Sequence, residues 1–300
     1  SGGTLSPEDE TLPDVLREAL LSRRVSLAEF VQTAQVQTNE TARGLCWLLP
    51  VSYPGWPTIH LVDLGASGGL NLVADQRHFR LICQGEGKSE IIELGLGAPV
   101  QFSVHGQGAF RPPQSARFPQ ICSRVGADIA PVYLDGIDKE QHLAAFVWGD
   151  QPERLSVLRQ GIAAVRRINQ TDTPLRLHQV DLPDHLPNFL QEQLSPLIDA
   201  PVVLFSTYLT TYLRDKGASL RNHINVWASM HPQPVLWLQW EPPRNDNKPP
   251  AFGWVEWAAD LWHQGRHHRV RGNAERLVEE GPQHQHQQAH AAQVAVPAGQ

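Results

Sequence analysis

Residues 59–72, IHLVDLGASGGLNL, bring together side chains suited to holding a nucleotide-sized ligand. A short apolar run ends in an acid, Asp63. Gly65 and Gly69 follow, and apolar periodicity resumes at Leu70. Glycines at such a turn let the backbone approach a ligand, and a helix that starts there has free amides at its first turn. Asn71 stands just inside that predicted helix. The spelling acid-x-Gly-x-Ser-Gly-Gly lacks the GxGxxG of dinucleotide turns and the terminal Lys-Ser/Thr of a phosphate loop. It also contains Gly-x-Ser-x-Gly with Ser67 in the nucleophile position, so ester hydrolysis at Ser67 is a rival chemistry. Asp63 ahead of the first glycine, and Asn71 after the last, favour the nucleotide cradle.

Other polar residues lie where predicted elements begin or end. Glu241 closes the apolar run PVLWLQW before two prolines, where it reads either as a general base at a sheet's carboxyl edge or as a solvated turn acid. Asn39, Glu40 and Arg43 open a predicted helix, which leaves helix capping and substrate binding both available to them. Arg124 and Asp128 in RVGADIAP have the spacing of an ordinary ion pair or of two pocket-lining residues. His263, His267 and His268 have no carboxylate or cysteine at metal-ligand spacing, so no metal site is expected.

The elements that must position these residues alternate. TIHLVDL, FRLIC, LRLHQV, PVVLFS and PVLWLQW read as strands, and helical stretches separate most of them, which predicts a mostly parallel α/β sheet covered on both faces. The helix from about residue 152 carries the clearest signals: Asp150 as cap, Pro152 in the first turn, Glu153 completing a capping box, and the stripe Leu155, Leu158, Ile162, Val165. Residues 1–57 read as an N-terminal helical cap and 58–271 as the α/β domain. Residues 85–138 form an inserted β-rich lobe, and 272–300 a low-complexity tail without a packing stripe.

Composition narrows the function classes. The chain has 300 residues and is 41% hydrophobic, enough to bury a core. Acidic residues outnumber basic ones, 31 to 25, for a net charge of −6, which makes nucleic acid a poor partner. No apolar run approaches the roughly 20 residues of a membrane span. The three cysteines form no CxxC pair and the start shows no secretory pattern, so a soluble cytoplasmic protein is expected. Its oligomeric state is open.

The 63–69 loop resembles the first motif of class I S-adenosylmethionine-dependent methyltransferases, with Ser67 in place of the middle glycine. Four segments, QTNETARGLCWLLP, VDLGASGGLNL, RVGADIAPVYLDG and FVWGDQPERLSVLRQGIAAVRR, resemble in order the hallmarks of the bacterial Domain of Unknown Function family 2332, over residues 30–260. The resemblance implies a Rossmann-like, methyltransferase-type fold with S-adenosylmethionine as cofactor and a small molecule as methyl acceptor. Asp63, Gly65, Ser67, Gly69 and Asn71 would then hold the amino-acid end and ribose, Asp181 the adenine amino group, and Ser206 and Tyr208 would face the reacting centre. Asn39, Glu40, Arg43, Arg124 and Asp128 would line the acceptor side. The acid that usually follows the second strand is missing, since FRLIC is followed by Gln84 and then Glu86. A Ser67 hydrolase and a non-catalytic nucleotide-responsive binding module are the alternatives.

Overall fold

The computed structural model describes residues 9–33, 40–85, 88–97, 102–107, 118–148, 151–242 and 255–274. The chain opens with α1 (Leu12–Ser22) and α2 (Arg24–Thr33), followed by a 3-10 turn at Thr41–Gly44, α3 (Leu45–Leu48) and a second turn at Pro50–Ser52. Next come β1 (Thr58–Leu64), a 3-10 helix at Leu70–Gln76, β2 (Phe79–Gly85), β3 (Lys88–Leu94), β4 (Phe102–Gln107) and β5 (Gln120–Asp128). The second half runs α4 (Ile137–Ala144), α5 (Pro152–Ile168), β6 (Leu175–Gln179), α6 (Leu186–Phe189), β7 (Val202–Thr207), α7 (Ala218–Met230), β8 (Val235–Glu241), β9 (Val255–His263) and β10 (Arg266–Ala274). Among the described residues no helix is long and apolar enough to cross a membrane.

Seven strands form the main sheet in the order β10-β9-β8-β7-β1-β5-β6. Numbered by their occurrence within this sheet and read from the β6 edge, the first five run 3-2-1-4-5, the order of a doubly wound fold. β6, β5, β1, β7 and β8 are mutually parallel; β9 is antiparallel to β8, and β10 to β9. The expected mostly parallel α/β sheet is therefore present.

Strand alternation sorts the core onto two faces. On β1, Ile59 and Leu61 join one cluster and Val62 and Leu64 the other. On β7 the same division puts Val203 and Phe205 opposite Val202 and Leu204. The first face is covered by 41–51, where Leu45, Cys46, Trp47, Leu48, Leu49 and Val51 are all buried. The second carries Leu186, Phe189, Leu220 and Ile224 of α6 and α7. Helix α5 buries Leu158, Ile162 and Val165 of its predicted stripe, with Leu155 partly buried beside them. Gln151 occupies its N-cap without a side-chain capping bond, Pro152 is in the first turn as expected, and Asp150 lies outside the described residues.

Several expectations are corrected. FRLIC is no strand of the main sheet: β2 pairs with β3 and β4 in a separate three-stranded sheet. The second strand of the main sheet is instead β5, from a segment assigned to the inserted lobe, and it lies parallel between β1 and β6. The helix expected from Leu70 is a 3-10 turn of seven residues, interrupted at Val73 (φ −113°, ψ 24°). Within the helical cap, α1 buries no residue, Phe30 of α2 meets the rings of His142 and Phe146, and 41–52 is largely buried. The last strand runs three residues past Arg271; it follows a tight turn with Gln264 (φ 50°) and Gly265 (φ 72°), the left-handed pair that suits a two-residue hairpin. The tail from 275 lies outside the described residues.

Candidate functional site

The carboxyl edge of the parallel strands collects the polar groups. β1 ends in Asp63 and Leu64, β5 in Asp128, β7 in Ser206 and Thr207, and β8 in Glu241. Asp181 lies two residues beyond β6. From β1 the sheet grows one way to β5 and β6 and the other way to β7 and β8, so the connections diverge on either side of it. Doubly wound sheets bind ligands in the crevice at such a switch point.

The loop after β1 is fixed by its own neighbours. The Gly65 and Ala66 amides both donate to the Ala127 carbonyl, at 2.8 and 3.2 Å. The Ser67 amide donates to Asp128 Oδ2 at 2.8 Å, while Asp128 Oδ1 accepts from the Ala130 amide at 2.9 Å. Gly65 (φ 92°) and Gly69 (φ 72°) are left-handed, and so is Ser67 (φ 47°). A Cβ on Gly69 would come within 2.5 Å of Leu175 Cδ2, the far end of a side chain on β6. Gly65 is exposed, and its left-handed backbone disfavours any side chain. The following turn has only seven residues, so a long helix dipole is not part of this site. The Asn71 side-chain oxygen is buried without a hydrogen-bond partner among the described residues.

Across the crevice, the 41–44 turn presents Arg43, whose guanidinium carbon lies 4.4 Å from the centroid of the Tyr208 ring. Glu241 is no solvated turn acid. It is 5% exposed, and its oxygens accept from the Leu209 amide (3.3 Å), the Thr210 amide (3.0 Å) and the Thr210 hydroxyl (2.8 Å). It thereby fixes the turn that begins at Tyr208, whose backbone is itself left-handed at φ 57°. Burial raises the Glu241 carboxyl above the ordinary range, against the pull of the Thr210 and Leu209 donors. Burial also lowers the Arg43 guanidinium, opposed by the charges of Glu40, Tyr208, Tyr212 and Glu241.

The structure brings together Asp63, Gly65, Ser67, Asp128, Arg43, Tyr208, Ser206 and Glu241, with Asp181 exposed at the β6 side. Glu40 is taken up elsewhere, capping the 41–44 turn through the Ala42 amide and pairing with Arg154 at 2.9 Å. Arg124 is not paired with Asp128; it is buried against Asp75 through two contacts of 2.7 Å. Asn39 lies outside the described residues. Sequence reasoning missed Asp75 and Thr210, the fixed partners of Arg124 and Glu241, and it missed Asp128 as the acid that ends the second strand. Asp-terminated GAD, after a strand-length segment that follows β1, was the signal for it.

Asp63 is 3% exposed, and burial, followed by the charge of Asp128, pushes its carboxyl well above the ordinary range against the opposing pull of Arg43. Folding therefore takes up a proton at Asp63. Its contribution to stability is full below the unfolded value near 3.8 and is lost as pH rises from there toward the raised folded value. Asp63→Asn, which removes that titration, is expected to melt several degrees above the unsubstituted chain near neutral pH and level with it at about pH 4. Melting curves across that range check the sign. A variant less stable at neutral pH would mean that Asp63 is held ionised by Arg43.

The family profile for uncharacterised proteins conserved in bacteria, Domain of Unknown Function 2332, matches residues 2–291, and the chain belongs to that family. The match extends beyond residues 30–260, where the resemblance was read, at both ends. No curated protein matches the chain. Among solved structures, the sugar N-methyltransferase KedS8 from Streptoalloteichus sp ATCC 53650 aligns at 13% identity and TM-score 0.29, over 81% of this chain and 74% of that one.

Proposed function

Starting from that membership, we propose that the switch-point crevice binds S-adenosylmethionine and that the protein transfers its methyl group to a small molecule. The observation that carries this reading is Asp128, which supplies an acid at the end of the second strand, facing the loop after the first. With it, three adjacent strands offer Asp63, Asp128 and Asp181 in sequence across the edge, matching an ammonium, a ribose diol and an adenine amino group. The buried Asn71 oxygen adds a further acceptor beside the loop.

When bound, the cofactor supplies an electrophilic methyl group on a sulfonium. The protein's task is orientation, which can account for about 7–11 kcal/mol of barrier lowering. Asp128 accepts from the ribose hydroxyls while keeping the Ser67 amide in place. Asp63 accepts from the cationic amino-acid end, and this favours its ionised form. Tyr208 faces the acceptor side, and Glu241 is a positioning residue that fixes the Tyr208–Thr210 turn. The acceptor's proton leaves to solvent or to a buried carboxylate after transfer.

Calorimetric titration with S-adenosylmethionine and its demethylated product tests this. Binding is expected to release a proton from Asp63, so the heat should differ between buffers of different ionisation enthalpy, and affinity should rise with pH until free Asp63 is ionised. Ser67→Ala is expected to leave affinity within about twofold, since the backbone amide that donates to Asp128 is kept. A hydrolase would instead lose ester cleavage with that substitution. No heat with either adenosyl ligand, together with Ser67-dependent ester cleavage, overturns the methyltransferase reading.

A further inference from the structure

Three arginines near the 41–44 turn and α5 are held in ion pairs. Arg124 is bound to Asp75, Arg154 to Glu40 and Arg166 to Glu140. Arg43 lies over the Tyr208 ring, and among the described residues its guanidinium forms no ion pair and no hydrogen bond. The acids around it do not pair with it. Glu40 is engaged by Ala42 and Arg154, and both Glu241 oxygens are engaged by Leu209 and Thr210. Asp63 is enclosed in the strand end and held toward its neutral form. A half-buried cation stacked on an aromatic face keeps its forked N–H edge free, and that edge matches a carboxylate at two points. Moving a guanidinium out of water costs free energy that an incoming anion can offset.

We infer that Arg43 is a carboxylate clamp, holding a ligand's carboxylate by its forked edge while the Tyr208 ring backs the guanidinium. The carboxylate has two sources in the proposed reaction, the amino-acid end of S-adenosylmethionine and an acidic group on the methyl acceptor. The first source rests on the reading under "Proposed function"; the clamp itself does not.

The test compares the unsubstituted protein with Arg43→Gln and Arg43→Lys. Each is titrated with S-adenosylhomocysteine, which carries the carboxylate, and with 5′-methylthioadenosine, which lacks the whole amino-acid end. A loss of at least about tenfold for the first ligand only, with Lys recovering part of it, assigns the clamp to the cofactor. If both ligands are unaffected, benzoate and succinate are compared with benzamide and succinamide by thermal shift on the adenosyl complex. Stabilisation by the acids alone, lost in Arg43→Gln, assigns the clamp to the acceptor. If the unsubstituted protein binds neither adenosyl ligand, the functional reading fails, and the same acid-against-amide comparison on the free protein decides the clamp by itself. Equal responses of the unsubstituted and Arg43→Gln proteins in every comparison overturn it. Because Arg43 has no paired partner to lose, Arg43→Gln should melt close to the unsubstituted chain; if it does not, Arg43→Lys carries the comparison.

Discussion

Arg124→Ala is expected to lower the unfolding free energy by about 3–5 kcal/mol, the range for breaking a buried ion pair from one side. The Arg124 and Asp75 side chains are 4% and 8% exposed and meet through two parallel contacts of 2.7 Å, and Arg124 Nη1 also donates to the Leu72 carbonyl. Alanine leaves Asp75 charged and buried, with the 0.1 kcal/mol-scale dispersion contacts of a long side chain lost as well. The effect falls on the fold because the pair joins the middle of β5 to the 70–76 turn and so sets the distance between the second strand and the loop that follows the first. Urea unfolding of Arg124→Ala, Asp75→Ala and the double variant checks it. The double variant should be clearly less destabilised than the sum of the singles, since neither charge is then stranded. Strict additivity with small single effects would show a solvated pair. Ligand affinity of the folded Arg124→Ala protein should change little, in contrast to a pocket-lining role for this arginine.

The same residues show what could be read in the sequence. β1, β7 and β8 were visible because both their faces are buried, which makes each a short continuous apolar run flanked by turn residues. Helix α5 was visible because its stripe and its proline act locally. β5 was not, since QICSRVGAD carries Arg124, Ser123 and Gln120 among its apolar residues, and burial of that arginine depends on an aspartate 49 positions away. FRLIC was recognised as a strand, but period-2 alternation says nothing of which sheet a strand joins; Phe79 pairs with Leu94 and Phe102 on the small sheet. That exchange of one strand for another hid the acid. Counting FRLIC as the second strand leaves Gln84 where an acid is wanted, whereas counting β5 places Asp128 there. Glu241 was located correctly at its strand end, but its engagement with Thr210 is a contact over 31 positions that no local pattern encodes.

Asp128→Ala is expected to reduce affinity for S-adenosylmethionine and S-adenosylhomocysteine by roughly 100-fold or more, from two losses that act together. The first is direct. A carboxylate accepting from a ribose hydroxyl forms a charge-assisted bond worth about 1.5–3 kcal/mol, and alanine has no acceptor. The second is indirect. Asp128 fastens the Ser67 amide at 2.8 Å and the Ala130 amide at 2.9 Å, so its removal frees the left-handed Ser67 and unties the loops after β1 and β5 from each other. A ligand must then reorder both before it can bind, which lowers the apparent affinity by the fraction of molecules in the competent arrangement. Asp128→Asn separates the two contributions. It keeps one oxygen for the Ser67 amide but gives up the charge and replaces the other acceptor with a donor, so an intermediate loss is expected. Calorimetry gives the affinities, and amide hydrogen exchange over 65–70 and 129–132 reports the loops. If Asp128→Ala exchanges faster in both segments yet binds adenosyl ligands as tightly as the unsubstituted chain, Asp128 is a loop fastener alone, and the ribose-gripping role on which the functional proposal rests fails.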